Sequence, residues 1–70
     1  MMNEYDVVII IKTINNENLP IGSRGTILQV YNNPIDKKAY LIEFITDYEK
    51  GSSIITFISE DDFDKIEKVK

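Results

Sequence analysis

The sequence contains no cysteine and no histidine. Without cysteine there is no disulfide framework and no thiolate zinc site. Without histidine the usual general base and the commonest metal ligand are both gone. Arginine occurs once, at Arg24, and the net charge is −4. A chain with that balance is repelled by nucleic-acid phosphates unless its few cations cluster. The apolar run Val7–Ile11 falls far short of the ~20 residues that a membrane-spanning helix needs. Glu4 and Asp6 precede it where a signal peptide would carry basic residues. Linkers, repeats and low-complexity segments are also missing, and a cytoplasmic protein is expected.

What remains is rich in β-branched residues, isoleucine above all. The 70 residues allow one domain, residues 1–70. A domain of this size buries only ~60% of its unfolded surface, so its core must be dense. The richness in isoleucine, asparagine and lysine suits AT-rich codons and points to a low-GC bacterium or its phage.

The organising stretch is Leu19–Phe44, LPIGSRGTILQVYNNPIDKKAYLIEF. Gly22 and Gly25 punctuate the approach to an apolar run at Thr26–Tyr31, a polar turn spans Asn32–Lys38, and an alternating segment follows at Tyr40–Phe44. That pattern predicts loop, strand, turn and strand, with Asn33-Pro34 as the turn nucleus. Either glycine is expected to take a positive φ or to let two backbones approach closely. On the first strand of this hairpin Thr26, Leu28 and Val30 are expected to face inward, since Gln29 marks the outside. Ile27 breaks that alternation, and a bulge near Gly25 would bring it inward. On the second strand, Ala39–Ile45, Glu43 marks the outside and Tyr40, Ile42 and Phe44 form the core face.

Around this hairpin the chain predicts three further strands. Asp6–Lys12 comes first, because a run of β-branched residues crowds a helix more than a pleated strand. The residues before it are expected to fray. A long loop, Thr13–Arg24, follows. In it Asn15, Asn16 and Asn18 favour turns, Asn18-Leu19-Pro20 is extended, and Leu19 and Ile21 plug the underside of the sheet. After a turn at Thr46–Ser52, the strand Ser53–Ile58 is expected to place Ile55 and Phe57 in the core. Ser59 with Asp62 fits a capping box that opens a single 3₁₀ turn. The last strand, Lys65–Val69, turns Ile66 or Val69 inward. This order predicts an all-β fold: a small five-stranded SH3-like barrel with one 3₁₀ turn before the last strand.

Three pieces then carry a family resemblance: DVV at Asp6–Val8, LPIGSRGTILQVY at Leu19–Tyr31 and AYLIEFI at Ala39–Ile45. Together they resemble a family of small bacterial SH3-like proteins catalogued as a domain of unknown function. About two thirds of the chain is covered, and from Tyr48 onward the match rests on Thr56-Phe57 and the final apolar strand. The glycine–threonine strand is similar to that of KOW-type ribosome and transcription modules, which makes it a signal of fold rather than of function. The resemblance carries over no catalytic residue. It implies an antitoxin or immunity role, because family members look like partner genes beside toxin-like proteins.

Catalysis needs a nucleophile with a base, a paired acid and base, or a metal cluster. Ser23, Ser52, Ser53 and Ser59 have no histidine to activate them. The carboxylates at Glu60, Asp61, Asp62 and Asp64 lack both the spacing and the glycine of an EF-hand loop. No enzymatic activity, cofactor or metal is expected. The remaining unusual surface is acidic and lies in two loops, Asp47, Tyr48 and Glu49 in one and Glu60, Asp61 and Asp62 in the other. These six are the candidate partner-binding residues. The carboxylates steer a basic partner and Tyr48, with Tyr31 beside it as a second candidate, anchors it. The expected function is a protein-binding module, most concretely an immunity- or antitoxin-like inhibitor that occludes a basic site of a toxin or nuclease. The alternatives are a KOW-like nucleic-acid- or ribosome-associated barrel, with a patch from Lys12, Arg24, Lys37 and Lys38, and an assembly module that dimerises through the first strand.

Overall fold

Runs of valine, isoleucine and aromatic residues form five antiparallel strands in one sheet, as a pleated, half-buried surface favours. The structure, a computed structural model, describes residues 2–15, 19–32 and 38–69. The strands are β1 (Val7–Ile10), β2 (Arg24–Tyr31), β3 (Ala39–Asp47), β4 (Ser52–Ser59) and β5 (Ile66–Lys68), with a 3₁₀ turn at Glu60–Lys65 between the last two. Their spatial order is β4-β3-β2-β1-β5. This is the all-β architecture expected from the sequence, with its single 3₁₀ turn before the last strand. The Asn33-Pro34 turn nucleus, the turn residues Asn16 and Asn18, and Lys37 lie outside the described residues.

The core joins alternate residues of the strands to two residues of the long loop. Val8, Ile10, Ile27, Tyr40, Ile42, Phe44, Ile58 and Ile66 are buried, and Ile14 and Leu19 close the group from below. The β3 reading holds, with Tyr40, Ile42 and Phe44 inward. Of the two expected plugs, Leu19 is buried and Ile21 is exposed. Ile14 fills the other place. Of the residues expected to fray before β1, those described, from Met2 on, are tied down. The Tyr5 N–H donates to the Ile27 carbonyl at 2.7 Å, the Asn3 N–H donates to the Asp6 carboxylate at 2.8 Å, and Met2 packs against the core.

Two strand phases differ from the sequence reading, each for a definite reason. In β2 it is Ile27 that is fully buried, while Thr26 and Leu28 are only half-buried. The β2–β3 register slips between Ile27 and Gln29, so Leu28 is the extra residue of a bulge. The phase reverses there, and Val30 again packs against the core. The bulge therefore lies three residues beyond the glycine where it was expected.

In β4 the phase is inverted throughout. Ile54, Thr56 and Ile58 pair with Phe44, Ile42 and Tyr40, so they share the inner face of β3. Ile55 and Phe57 stand opposite Glu43 and Leu41 on the outer face, where they are 58% and 61% exposed. Every position from Ile54 to Ile58 except Thr56 is large and apolar. Internal alternation in β4 could not choose a face, and the ladder to β3 does. Replacing Ile58 by alanine should cost about 2–5 kcal/mol, and Ile55→Ser should stay within about 0.5 kcal/mol of wild type. Denaturation midpoints in urea check both, and the reverse order would restore the other register.

Candidate protein-binding surface

The outer face of the sheet is assembled row by row from the strand registers. Thr26, Glu43 and Ile55 form one row, Gln29, Leu41 and Phe57 the next, and Tyr31, Ala39 and Ser59 a third. The small Ala39 lets two rings lean over β3 toward each other. Tyr31 and Phe57 meet with ring centroids 5.6 Å apart and a 58° tilt, a geometry that favours aromatic pairs. The polar groups of this face are engaged locally. The Tyr31 hydroxyl donates to Gln29 Oε1 at 3.0 Å, and the Ser53 hydroxyl donates to Glu43 Oε2 at 3.0 Å. What faces outward between them is apolar: Tyr31, Ile45, Ile55 and Phe57 are all exposed.

The six residues singled out from the sequence fall at the two ends of β4. Asp47 closes β3, and its carboxylate accepts the backbone N–H groups of Glu49 and Lys50 at 3.0 and 3.1 Å. That arrangement is an Asx-type turn, completed by Gly51 at φ +67°. Asp47 thus builds the turn, and Tyr48 at its tip is 68% exposed. Glu60, Asp61 and Asp62 lie in the 3₁₀ turn at the far end. Eight strand residues separate the two groups, a span of about 25 Å at the usual rise. They are two acidic ends of one strand, not one patch.

The 3₁₀ turn is braced by its own ion pair. Lys65 Nζ lies 2.8 Å from the Asp62 carboxylate. That hydrogen bond and the charge of Asp62 hold the Lys65 ammonium above its ordinary value, with Asp64 adding to the effect. Ser59 sits at the N-cap position, but its side chain makes no capping hydrogen bond, so the expected capping box does not form. The turn takes its place instead through the Glu60 N–H, which donates to the Lys38 carbonyl at 2.9 Å. The stack of Tyr40 on Phe63, with centroids 4.2 Å apart, holds it from within.

Among the described residues, Arg24 and Lys38 do not gather. Lys12 lies 3.9 Å from Asp64, and Lys68 lies 3.6 Å from Asp6. Arg24 opens β2, whereas Lys38 adjoins the other end of the same hairpin. Among the described residues no three acidic side chains come close enough to hold a metal ion. A cleft of about 310 Å³, lined by Val30, Lys38, Tyr40, Glu60 and Phe63, opens beside the 3₁₀ turn. No helix among the described residues is long and apolar enough to cross a membrane.

The sequence alone, which places Ile55 and Phe57 in the core, does not reveal the outer apolar face. The signal available was the surplus of apolar residues. β4 offers apolar side chains to both faces, more than one inner face can take.

A small antiparallel β domain with an apolar outer face and acidic strand ends is the class that these features define. The chain belongs to the family DUF4926, described as a domain of unknown function, whose model matches residues 4–64. No curated protein and no solved structure matches the chain.

Proposed function

We propose that this protein is a non-enzymatic protein-binding module. The supporting observation is the outward display of Ile55 and Phe57 beside Tyr31 on one continuous sheet face. Exposed apolar groups clustered in this way, and rimmed by polar residues, mark interaction sites. Aromatic anchors surrounded by a polar rim supply most of the energy of such interfaces. In its most concrete form the module is an immunity- or antitoxin-like inhibitor. The acidic ends of β4 steer it toward a basic site of a toxin or nuclease, and the apolar face between them holds it there. Rim carboxylates act mainly on the association rate, and buried anchors on dissociation.

Affinity capture from the native host, followed by binding kinetics, tests this division of labour. Glu60→Lys combined with Asp61→Lys should slow association and flatten its dependence on salt. Phe57→Ser should speed dissociation by about 30-fold or more, as expected for a lost anchor of about 2 kcal/mol. A partner that binds both variants like wild type would refute the reading. A tight, salt-dependent complex with DNA or RNA at low salt would replace it with the nucleic-acid alternative. The assembly alternative, a homodimer through the first strand, would use the exposed side chains of Val7 and Ile11, since the β1 backbone is already paired with β2 and β5.

A further inference from the structure

The two edges of the sheet are protected very differently. β5 is three residues long and carries Glu67 and Lys68, so it is both short and charged, as safe edges are. β4 is eight residues long, SSIITFIS, with neither charge nor proline. Its ladder to β3 runs without a bulge from Ala39↔Ser59 to Ile45↔Ser53. Among the described residues, no backbone hydrogen bond outside the sheet ladders involves Ser52–Ser59. A long, uncharged edge of this kind is a template for another strand.

A cleft of about 120 Å³ opens along the same edge, lined by Ile14, Asn15, Thr56, Phe57, Ile58 and Asp62. Thr56 and Ile58 point to the inner face and Phe57 to the outer. A cleft that touches both faces of one strand must lie at its free edge. Its size suits a small side chain, and Asp62 stands among its walls.

The charges at the strand ends select the occupant. Asp47 and Glu49 lie at one end, against Lys50. Glu60, Asp61, Asp62 and Asp64 lie at the other, against Lys65. Antiparallel self-pairing of β4 would lay the first group beside the second group of another copy, acid against acid. Like charges in register are destabilising, so the ends disfavour a second copy while leaving the neutral centre open.

The geometry points to strand addition at β4: an extended segment of a partner protein, with small apolar residues at alternate positions and lysine or arginine at both ends, pairs main chain to main chain along Ser52–Ser59. This inference rests on the protein-binding reading above and specifies its mode. Main-chain hydrogen bonds supply the affinity, alternate side chains enter the edge cleft or lie beside Phe57, and the basic ends meet the acidic ones.

The test uses the full chain and three synthetic peptides. The first alternates threonine and valine between pairs of lysines, the second replaces the lysines by glutamates, and the third is the lysine peptide N-methylated on alternate amides. Amide exchange by NMR should show the lysine peptide protecting backbone N–H groups within Ser52–Ser59. Anisotropy should show at least about tenfold weaker binding after N-methylation, which removes main-chain donors and keeps the side chains. The glutamate peptide should bind more weakly than the lysine peptide at low salt, and the difference should shrink at 1 M salt, where the screening length falls to ~3 Å. If millimolar lysine peptide leaves the β4 amides unprotected, strand addition is wrong. Equal binding by the N-methylated peptide, weakened by Phe57→Ser, would overturn strand addition and leave the protein-binding reading standing. Protection of β4 that rises with protein concentration alone, with a dimer in sedimentation, would assign the edge to a second copy instead. The protein-binding reading itself fails if the captured partner ignores the Phe57 and acidic-end variants, or if the tight ligand is DNA or RNA.

Discussion

Phe44→Ala should destabilise the protein by about 3–5 kcal/mol, the usual cost of truncating a buried phenylalanine. Phe44 has 0% exposure and sits at the middle of the core. It faces Gly25 on one side and Ile54 on the other, so the void left by its ring has strands on both flanks that cannot collapse without breaking ladders. Stability of about 0.05–0.15 kcal/mol per residue gives a 70-residue chain about 3.5–10 kcal/mol, and a single core of this size rarely supplies more than about 3–5 kcal/mol. The variant should therefore be largely unfolded at room temperature, seen as loss of the cooperative urea transition. Ile45→Ala, one residue on and facing outward opposite Ser53, should change little. A wild-type midpoint for Phe44→Ala would mean that the β3 faces are exchanged.

The second large effect is at Gly25. Its φ is not positive, unlike those of Gly22 and Gly51. What glycine provides here is room. A Cβ would lie 2.7 Å from Ile42 Cγ2, 2.8 Å from the Glu43 carbonyl oxygen and 2.8 Å from Phe44 Cδ1. A side chain can rotate away, but the carbonyl belongs to the β3 backbone and moves only if the strand does. Gly25→Ala should cost about 1–3 kcal/mol by overpacking, and Gly25→Val more, because its extra methyl groups meet the same wall. Gly22→Ala is the contrast. Nothing lies within 4 Å of its Cβ position, and its φ of +95° alone strains alanine. Chemical-denaturation midpoints for the three variants separate close approach from backbone strain. A wild-type midpoint for Gly25→Ala would contradict the close approach.

Much of the fold was legible because particular residues carried two signals at once. In β3, Tyr40, Ile42 and Phe44 alternate with Leu41 and Glu43, and the glutamate fixes the face. Around Gly25 the sequence offered two physical reasons for glycine, and only the neighbouring strand decides between them. β4 carried no such marker: isoleucine and phenylalanine on both faces leave its phase to the partner strand. The bulge at Leu28 is likewise set across the β2–β3 ladder and has no local signature. The acidic residues were visible as charges, but the length of β4 between them is a property of the folded chain. That length turns two loops into the ends of one neutral edge.

The amide hydrogen-exchange footprint of the protein in complex with its captured partner tests this account most directly. Added protection should appear within Ser52–Ser59 and in the flanking segments Asp47–Gly51 and Glu60–Asp62, with β1 and β5 unchanged. Protection gained instead along β1 and β5 or the loop at Leu19–Gly25, with β4 exchanging as in the free protein, would contradict it.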